Sequence, residues 1–229
     1  VLSSSLTQYS DYMKSAKKSS SKDGAAMVTR VGKKIAAATE QYLRNNGLES
    51  EIKNFAWEFN LVNDPQVNAF CMPGGKIVVY EGLMQLVSSD DELAVVVGHE
   101  VAHAVAKHSN ERMSQQLMAQ YGAQILGQAL SNKSAAVQKI GASVYGLGAQ
   151  YGVMLPFSRK HESEADYMGL VFMAMAGYNP AVAVNFWQKM SAGKSGSTPE
   201  FMSTHPSDAT RINEIKQHLP EIEKYRVKK

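Results

Sequence analysis

Apolar residues along this chain recur with two different periods. Val28, Val31, Ile35, Ala38 and Tyr42 fall at steps of three and four, one stripe of a helix, until Asn45-Asn46-Gly47 breaks the pattern. Phe55, Trp57, Phe59 and Leu61 then alternate with Ala56, Glu58 and Asn60, the period of a strand with one buried face and one wet face. Asn63-Asp64-Pro65 closes that strand with turn-forming residues. A second extended stretch, Asn68 to Met72, passes through Pro73-Gly74-Gly75 into Lys76-Ile77-Val78-Val79-Tyr80, which reads as strand, tight connection, strand. Together these stretches predict a small antiparallel sheet.

Helical signals dominate the rest. Ser89-Asp90-Asp91-Glu92 has the form of a capping box, in which a Ser side chain and a Glu three residues later satisfy the exposed amides of a helix start. The helix it opens carries His99. A long Ala-, Gly- and Gln-rich helical region follows, within Gln115 to Pro156, and another helix is predicted from about Arg159 to Ala176, stopping at Gly177-Tyr178-Asn179-Pro180. Pro180 is expected to open the next helix, with Val182, Phe186 and Trp187, and Gly193 to Pro199 reads as a loop suited to movement. Thr204-His205-Pro206 is expected to start the last helix, with Ile212, Ile215 and Leu219 inward. Residues 1–23, rich in Ser and Lys, bury little and read as an arm or tether. The expected class is α+β: one mainly helical domain over residues 24–229, with the small sheet beside the His99 helix.

Composition adds limits. With 229 residues, 44% of them apolar and 20% charged, the chain can bury one full core. Its net charge of +3 is spread over scattered lysines, which gives no argument for a nucleic-acid partner. Cys71 is the sole cysteine, so neither an internal disulfide nor a cysteine-based zinc site can form. The most apolar stretch, Ala135 to Phe157, is interrupted by Gln138, Lys139 and Gln150 and falls short of a spanning helix. The Val1-Leu2 start suggests a processed product, expected to be soluble.

The chemistry concentrates in His99-Glu100-Val101-Ala102-His103. Two histidines four apart on a helix share one face and can reach one ion, while the intervening Glu is placed to exchange protons with an attacking water. About 0.01 such matches are expected by chance in a chain of this composition. Flanking Val95, Val96, Val97, Val101, Ala102 and Val105 make the helix a buried one, where unpaired polar groups are costly. Zinc suits the pair, because it accepts imidazole and carboxylate and keeps a position open with three protein ligands. For the third ligand Glu162 is the best candidate: Ala165, Gly169 and Ala174 on its helix permit close approach, and Asp166, four residues on, can accept an imidazole N–H. Glu164 is a minor alternative. His161 and Glu164 are otherwise expected on the surface, and His108 and His218 as structural or exposed residues.

These motifs resemble the minigluzincins, the metallopeptidase family that includes the CaaX prenyl protease, the HtpX-type heat-shock proteases and periplasmic lipoprotein proteases. The likeness runs from Asn68 to Arg211 and includes Asn68-Ala69-Phe70, Pro73-Gly74-Gly75-Lys76-Ile77, the His99 motif, Glu162-x-x-Ala165-Asp166, Ser203-Thr204-His205-Pro206 and Arg211. It implies a zincin-like fold, one Zn2+ per chain held by His99, His103 and Glu162, and Glu100 as general base. It further implies a polypeptide substrate added along the sheet edge at Asn68, Ala69, Phe70 and Cys71. His205 would stand near the site, either stabilising an oxyanion or capping the zinc. Without spanning helices the chain looks like the compact branch, whose members are lipid-anchored upstream of the domain and degrade misassembled envelope proteins. The resemblance therefore implies a Gram-negative periplasmic or outer-membrane location. A competing expectation is a latent, chaperone-like binding module in which His205 and the 115–156 region cover the metal.

Overall fold

The computed structural model describes residues 2–108, 157–192 and 199–227. The helical region expected within 115–156 and most of the loop from Gly193 lie outside the described residues. No helix among the described residues is long and apolar enough to cross a membrane.

The arm is not irregular. Leu2–Ser15 forms a helix, α1, because Tyr9 and Tyr12 share a face that docks on the sheet: Tyr9 Oη accepts from Asn60 at 2.7 Å and Tyr12 Oη donates to Tyr80 Oη at 3.0 Å. Next comes α2, Lys22–Asn45, starting earlier than its apolar stripe because Ser21 caps it, accepting from Gly24 N at 3.1 Å. It stops as expected at Asn46, with Gly47 in the left-handed region at φ 71° and Leu48 N returning to Leu43 O.

After a short 3-10 turn at Glu49–Asn54 come β1 (Glu58–Val62), β2 (Ala69–Met72) and β3 (Lys76–Tyr80), in the order β1-β3-β2. β2 and β3 are antiparallel, but β1 runs parallel to β3, so the sheet is mixed rather than antiparallel. The connection after Val62 carries the chain past the place β3 will fill. β3 has the composition for that central position, since Ile77, Val78 and Val79 are all buried, on both faces of the sheet. Gly74 and Gly75 form the tight turn at φ 91° and 82°, and a Cβ at Gly75 would lie 2.6 Å from the Trp57 ring. The outer edge of β1 is occupied by the arm: Lys18 bridges Val62, Ser19 N donates to Leu61 O, and Asn63 N donates to Lys17 O. Among the described residues no strand pairs with the outer edge of β2.

A short α3 (Glu81–Met84) leads to α4, Asp90–Val105, capped by Ser89, whose Oγ accepts from Glu92 N at 3.2 Å. Glu92 does not return to Ser89; its carboxylate accepts from Ser88 and binds Lys189. Every residue from Leu93 to His103 is buried, as α4 packs between the sheet, α2 and the helix that follows. That helix, α5, spans Arg159–Met175, with Ser158 as its cap and Gly177 at φ 91° beyond its end. Then come α6 (Val182–Ala192), the short α7 (Glu200–Thr204) and α8 (Ala209–Ile222). The last helix therefore starts later than Thr204-His205-Pro206, since Asp208 provides the cap by accepting from Arg211 N at 2.8 Å.

α4 and α5 meet backbone to backbone. A Cβ at Gly98 would lie 2.7 Å from Gly169 O, and one at Gly169 would lie 2.8 Å from His99 N. Gly169→Ala should force the helices apart and lower stability by about 1–3 kcal/mol, read as a drop in the urea midpoint of the metal-free protein; an unchanged midpoint would show that the contact has slack.

Candidate metal centre

The close approach of α4 and α5 assembles the ligating atoms. His99 and His103 stand one turn apart on α4, with their Nε2 atoms 3.1 Å from each other. From α5, Glu162 offers one carboxylate oxygen to each ring: Oε2 lies 3.0 Å from His99 Nε2 and Oε1 lies 3.0 Å from His103 Nε2. His205, at the end of α7, brings its Nε2 to 2.8 Å from Glu100 Oε1 and 4.0 Å from Glu162 Oε1. One ligand atom from each of His99, His103, Glu162 and His205 falls within 4.8 Å of all the others, and all four residues are buried.

A further layer of side chains orients these groups. His99 Nδ1 lies 3.1 Å from Asp166 Oδ1. Asp166 is clamped by Arg211, whose Nε and Nη2 donate to its two oxygens at 2.7 and 2.8 Å, and Arg211 Nη1 also lies 3.2 Å from Glu162 Oε2. His103 Nδ1 faces His108 Nδ1 at 2.9 Å, and its ring stacks on Phe157 at 4.0 Å. His205 stacks on Phe201, with ring centres 4.1 Å apart.

Charge in this pocket is tightly constrained. Burial alone would discourage a positive His99, but Glu162 and Asp166 outweigh it and push its pKa up to about 9. Burial, reinforced by the charge on His99, pulls His103 down to about 3. Burial also opposes ionisation of Glu162 and Glu100, yet the imidazoles around them hold both carboxyls below the ordinary range. Lone pairs of two imidazoles and a carboxylate thus converge where something positive must sit. Neither buried Glu162 oxygen has an aligned hydrogen bond, although the His99, His103 and Arg211 nitrogens stand 3.0–3.2 Å away, an arrangement that fits a cation held between the imidazoles and the carboxylate. Zinc fits this donor set, because bonds of about 2.0–2.2 Å at tetrahedral angles place neighbouring ligand atoms about 3.3 Å apart, close to the 3.0–3.1 Å separations here.

The edge strand touches the same site. Cys71 N donates to Glu100 Oε2 at 3.2 Å, while burial, with Glu100 nearby, pushes the Cys71 thiol up. Asn68 O accepts from Tyr80 N, Ala69 is buried, and the Phe70 ring turns to Tyr12 and Tyr80 on the α1 side of the sheet. Of the two expectations of exposure, that for Glu164 holds and that for His161 does not. His161 is buried because the Ser158 cap sets it on the inner face of α5, where it stacks on a buried His108 at 4.4 Å. Glu164 stands apart from the ligand cluster, half-exposed, with Oε2 3.3 Å from His108 Nε2. Sequence reasoning assigns no role to Arg211 or His108; the signal for Arg211 is its place in the Ser203–Arg211 motif, whereas His108 offers none, because its spacing from His103 would turn it away on a continuous helix.

A buried His-His-Glu cluster with a further carboxylate beside it, on a helix next to a sheet edge, has the donor set and layout that zinc metallopeptidases use. The chain belongs to Peptidase family M48, whose profile it matches over residues 29–219. It is 36% identical to the mitochondrial metalloendopeptidase OMA1 of Schizosaccharomyces pombe over 205 residues, 86% of this chain and 53% of that one. The protein of the same name in Arabidopsis thaliana is 40% identical over 168 residues, 73% of this chain and 33% of that one. The β-barrel assembly-enhancing protease of Yersinia pestis is 33% identical over 174 residues, 71% of this chain and 36% of that one. The chain thus spans about half the length, or less, of these curated relatives. The expected Gram-negative periplasmic or outer-membrane location is overturned by these likenesses, since the relatives at 36% and 40% identity are named as mitochondrial. Nothing in the residues of the cluster themselves encodes a compartment.

With its pKa near 9, His99 carries a proton at pH 7 in the metal-free protein and must lose it to offer Nε2 as a ligand. Zinc titration at pH 7 should therefore release about one proton, read by calorimetry in buffers of different ionisation enthalpy. Zinc affinity should rise with pH until about pH 9 and then level off. Buffer-independent heats would contradict this.

Proposed function

We propose that this chain is the catalytic part of a zinc-dependent endopeptidase that cleaves extended segments of unfolded or misassembled polypeptides. His99, His103 and Glu162 hold the metal, Asp166 orients His99, and Glu100 is the general base and acid. When bound, zinc lowers the pKa of a coordinated water to about 7 and polarises the scissile carbonyl.

One observation carries the reading: the Glu100 carboxylate stands between the ligand cluster and the sheet edge, one oxygen 2.8 Å from His205 Nε2 and the other accepting from Cys71 N. A client segment laid along Asn68, Ala69, Phe70 and Cys71 would pair with the outer edge of β2 and bring its peptide bond to Glu100. Glu100 then takes a proton from the attacking water and returns it to the leaving amine. That β1 is already closed by the arm supports β2 as the receiving edge.

Glu100→Gln should keep stoichiometric zinc and lower casein cleavage by about 10²–10⁴-fold; full activity in a metal-replete Gln variant would refute the assignment.

A second reading concerns the resting state. His205 Nε2 is buried within the ligand cluster and lies 2.8 Å from Glu100 Oε1, which supports a cover that is displaced by substrate rather than an oxyanion donor. His205→Ala should retain zinc and raise basal casein turnover severalfold. A fall in turnover with zinc retained would instead assign His205 to the oxyanion.

A further inference from the structure

α4 ends two residues past the second histidine, and its ending is conformationally costly. Ala106 N still returns to Ala102 O at 2.9 Å, but Lys107 adopts φ 59°, the one positive φ of a non-glycine residue among those described. A side chain with a Cβ is disfavoured there. The turn has a definite product. Had the helix continued, residue 108 would sit roughly 140° around the axis from residue 103. Reversed at Lys107, the chain instead folds His108 back until its Nδ1 is 2.9 Å from His103 Nδ1. His108 is buried, its ring stacks on His161 at 4.4 Å, and its Nε2 lies 3.3 Å from Glu164 Oε2.

Two ring nitrogens at that distance share one proton. His103 can give Nε2 to a metal only as the tautomer protonated on Nδ1, so Nδ1–H is the donor and His108 Nδ1 the acceptor. The proton of His108 then resides on Nε2, 3.3 Å from Glu164 Oε2, a charge contact rather than an aligned hydrogen bond. The reverse assignment would put the His103 proton on Nε2, among the ligands.

We propose that His108 is a positioning residue for the metal centre: it fixes the tautomer and ring orientation of His103, and Glu164 in turn fixes His108. Both ligand histidines then end on a carboxylate, His99 directly on Asp166 and His103 through His108 on Glu164. The inference rests on the reading of His103 as a metal ligand.

The test is zinc affinity, measured on the purified chain with Zn2+ alone against a chromophoric chelator. His108→Phe keeps the ring and its stacking but removes the acceptor, and should raise the zinc Kd about 10–100-fold while the metal-free thermal midpoint moves little. His108→Asn, whose Oδ1 can take the place of Nδ1, should recover most of that loss. A Kd for His108→Phe within twofold of wild type overturns the proposal. His103→Ala separates the two levels: if it retains wild-type zinc affinity, the ligand assignment itself falls, whereas zinc loss there with none in His108→Phe rejects only the role of His108. Should His108→Phe fail to fold, long-range 15N spectra of the zinc-loaded wild-type chain decide: a His108 ring unprotonated at Nδ1 is expected, and one protonated at Nδ1, hence unable to accept from His103, overturns the proposal.

Discussion

Two helix backbones meet at Gly98 and Gly169 with no side chain between them, and the chemistry of the protein is a consequence of that contact. His99 follows Gly98 directly, so its ring emerges where the helices are nearest. Asp166 and Glu162 lie one and two turns before Gly169, on the face that looks at α4, and so reach His99 Nδ1 and Nε2 respectively. A wider crossing would move every one of these atoms together. The glycines thus act at the site without touching it.

That geometry gathers three carboxylates, Glu100, Glu162 and Asp166, into one buried space. Buried charge of one sign is unstable unless compensated. Arg211 supplies part of the compensation by clamping Asp166 and reaching Glu162, and the rest is left to a proton on His99 or to a metal. The appetite for a cation and the stability of this core are therefore one property.

Much of this was readable from residues alone, where the cause is local. The cap at Ser89, the stop at Gly47 and the pairing of Glu162 with Asp166 along one helix face follow from spacings of three or four residues. What failed to read out depends on partners distant in sequence. Alternation at Phe55–Leu61 marks a strand but says nothing of its neighbour, so the parallel pairing of β1 with β3 could not be foreseen. The Ser- and Lys-rich arm is helical because Tyr9 and Tyr12 find Asn60 and Tyr80. His161 looks exposed by composition, and His108 either structural or exposed, yet each supplies a face that buries the other.

On the proposed reading, the arm that closes β1 also bears on how clients would be told from bystanders. With one sheet edge taken by Lys18 and no strand paired with the other among the described residues, a client docking there would have to offer backbone amides and carbonyls that are not already paired. A well-folded protein has spent those groups on its own helices and sheets. Selection would then operate on the state of the client's main chain instead of its side-chain identity, so that loss of native hydrogen bonds would itself be the recognition signal.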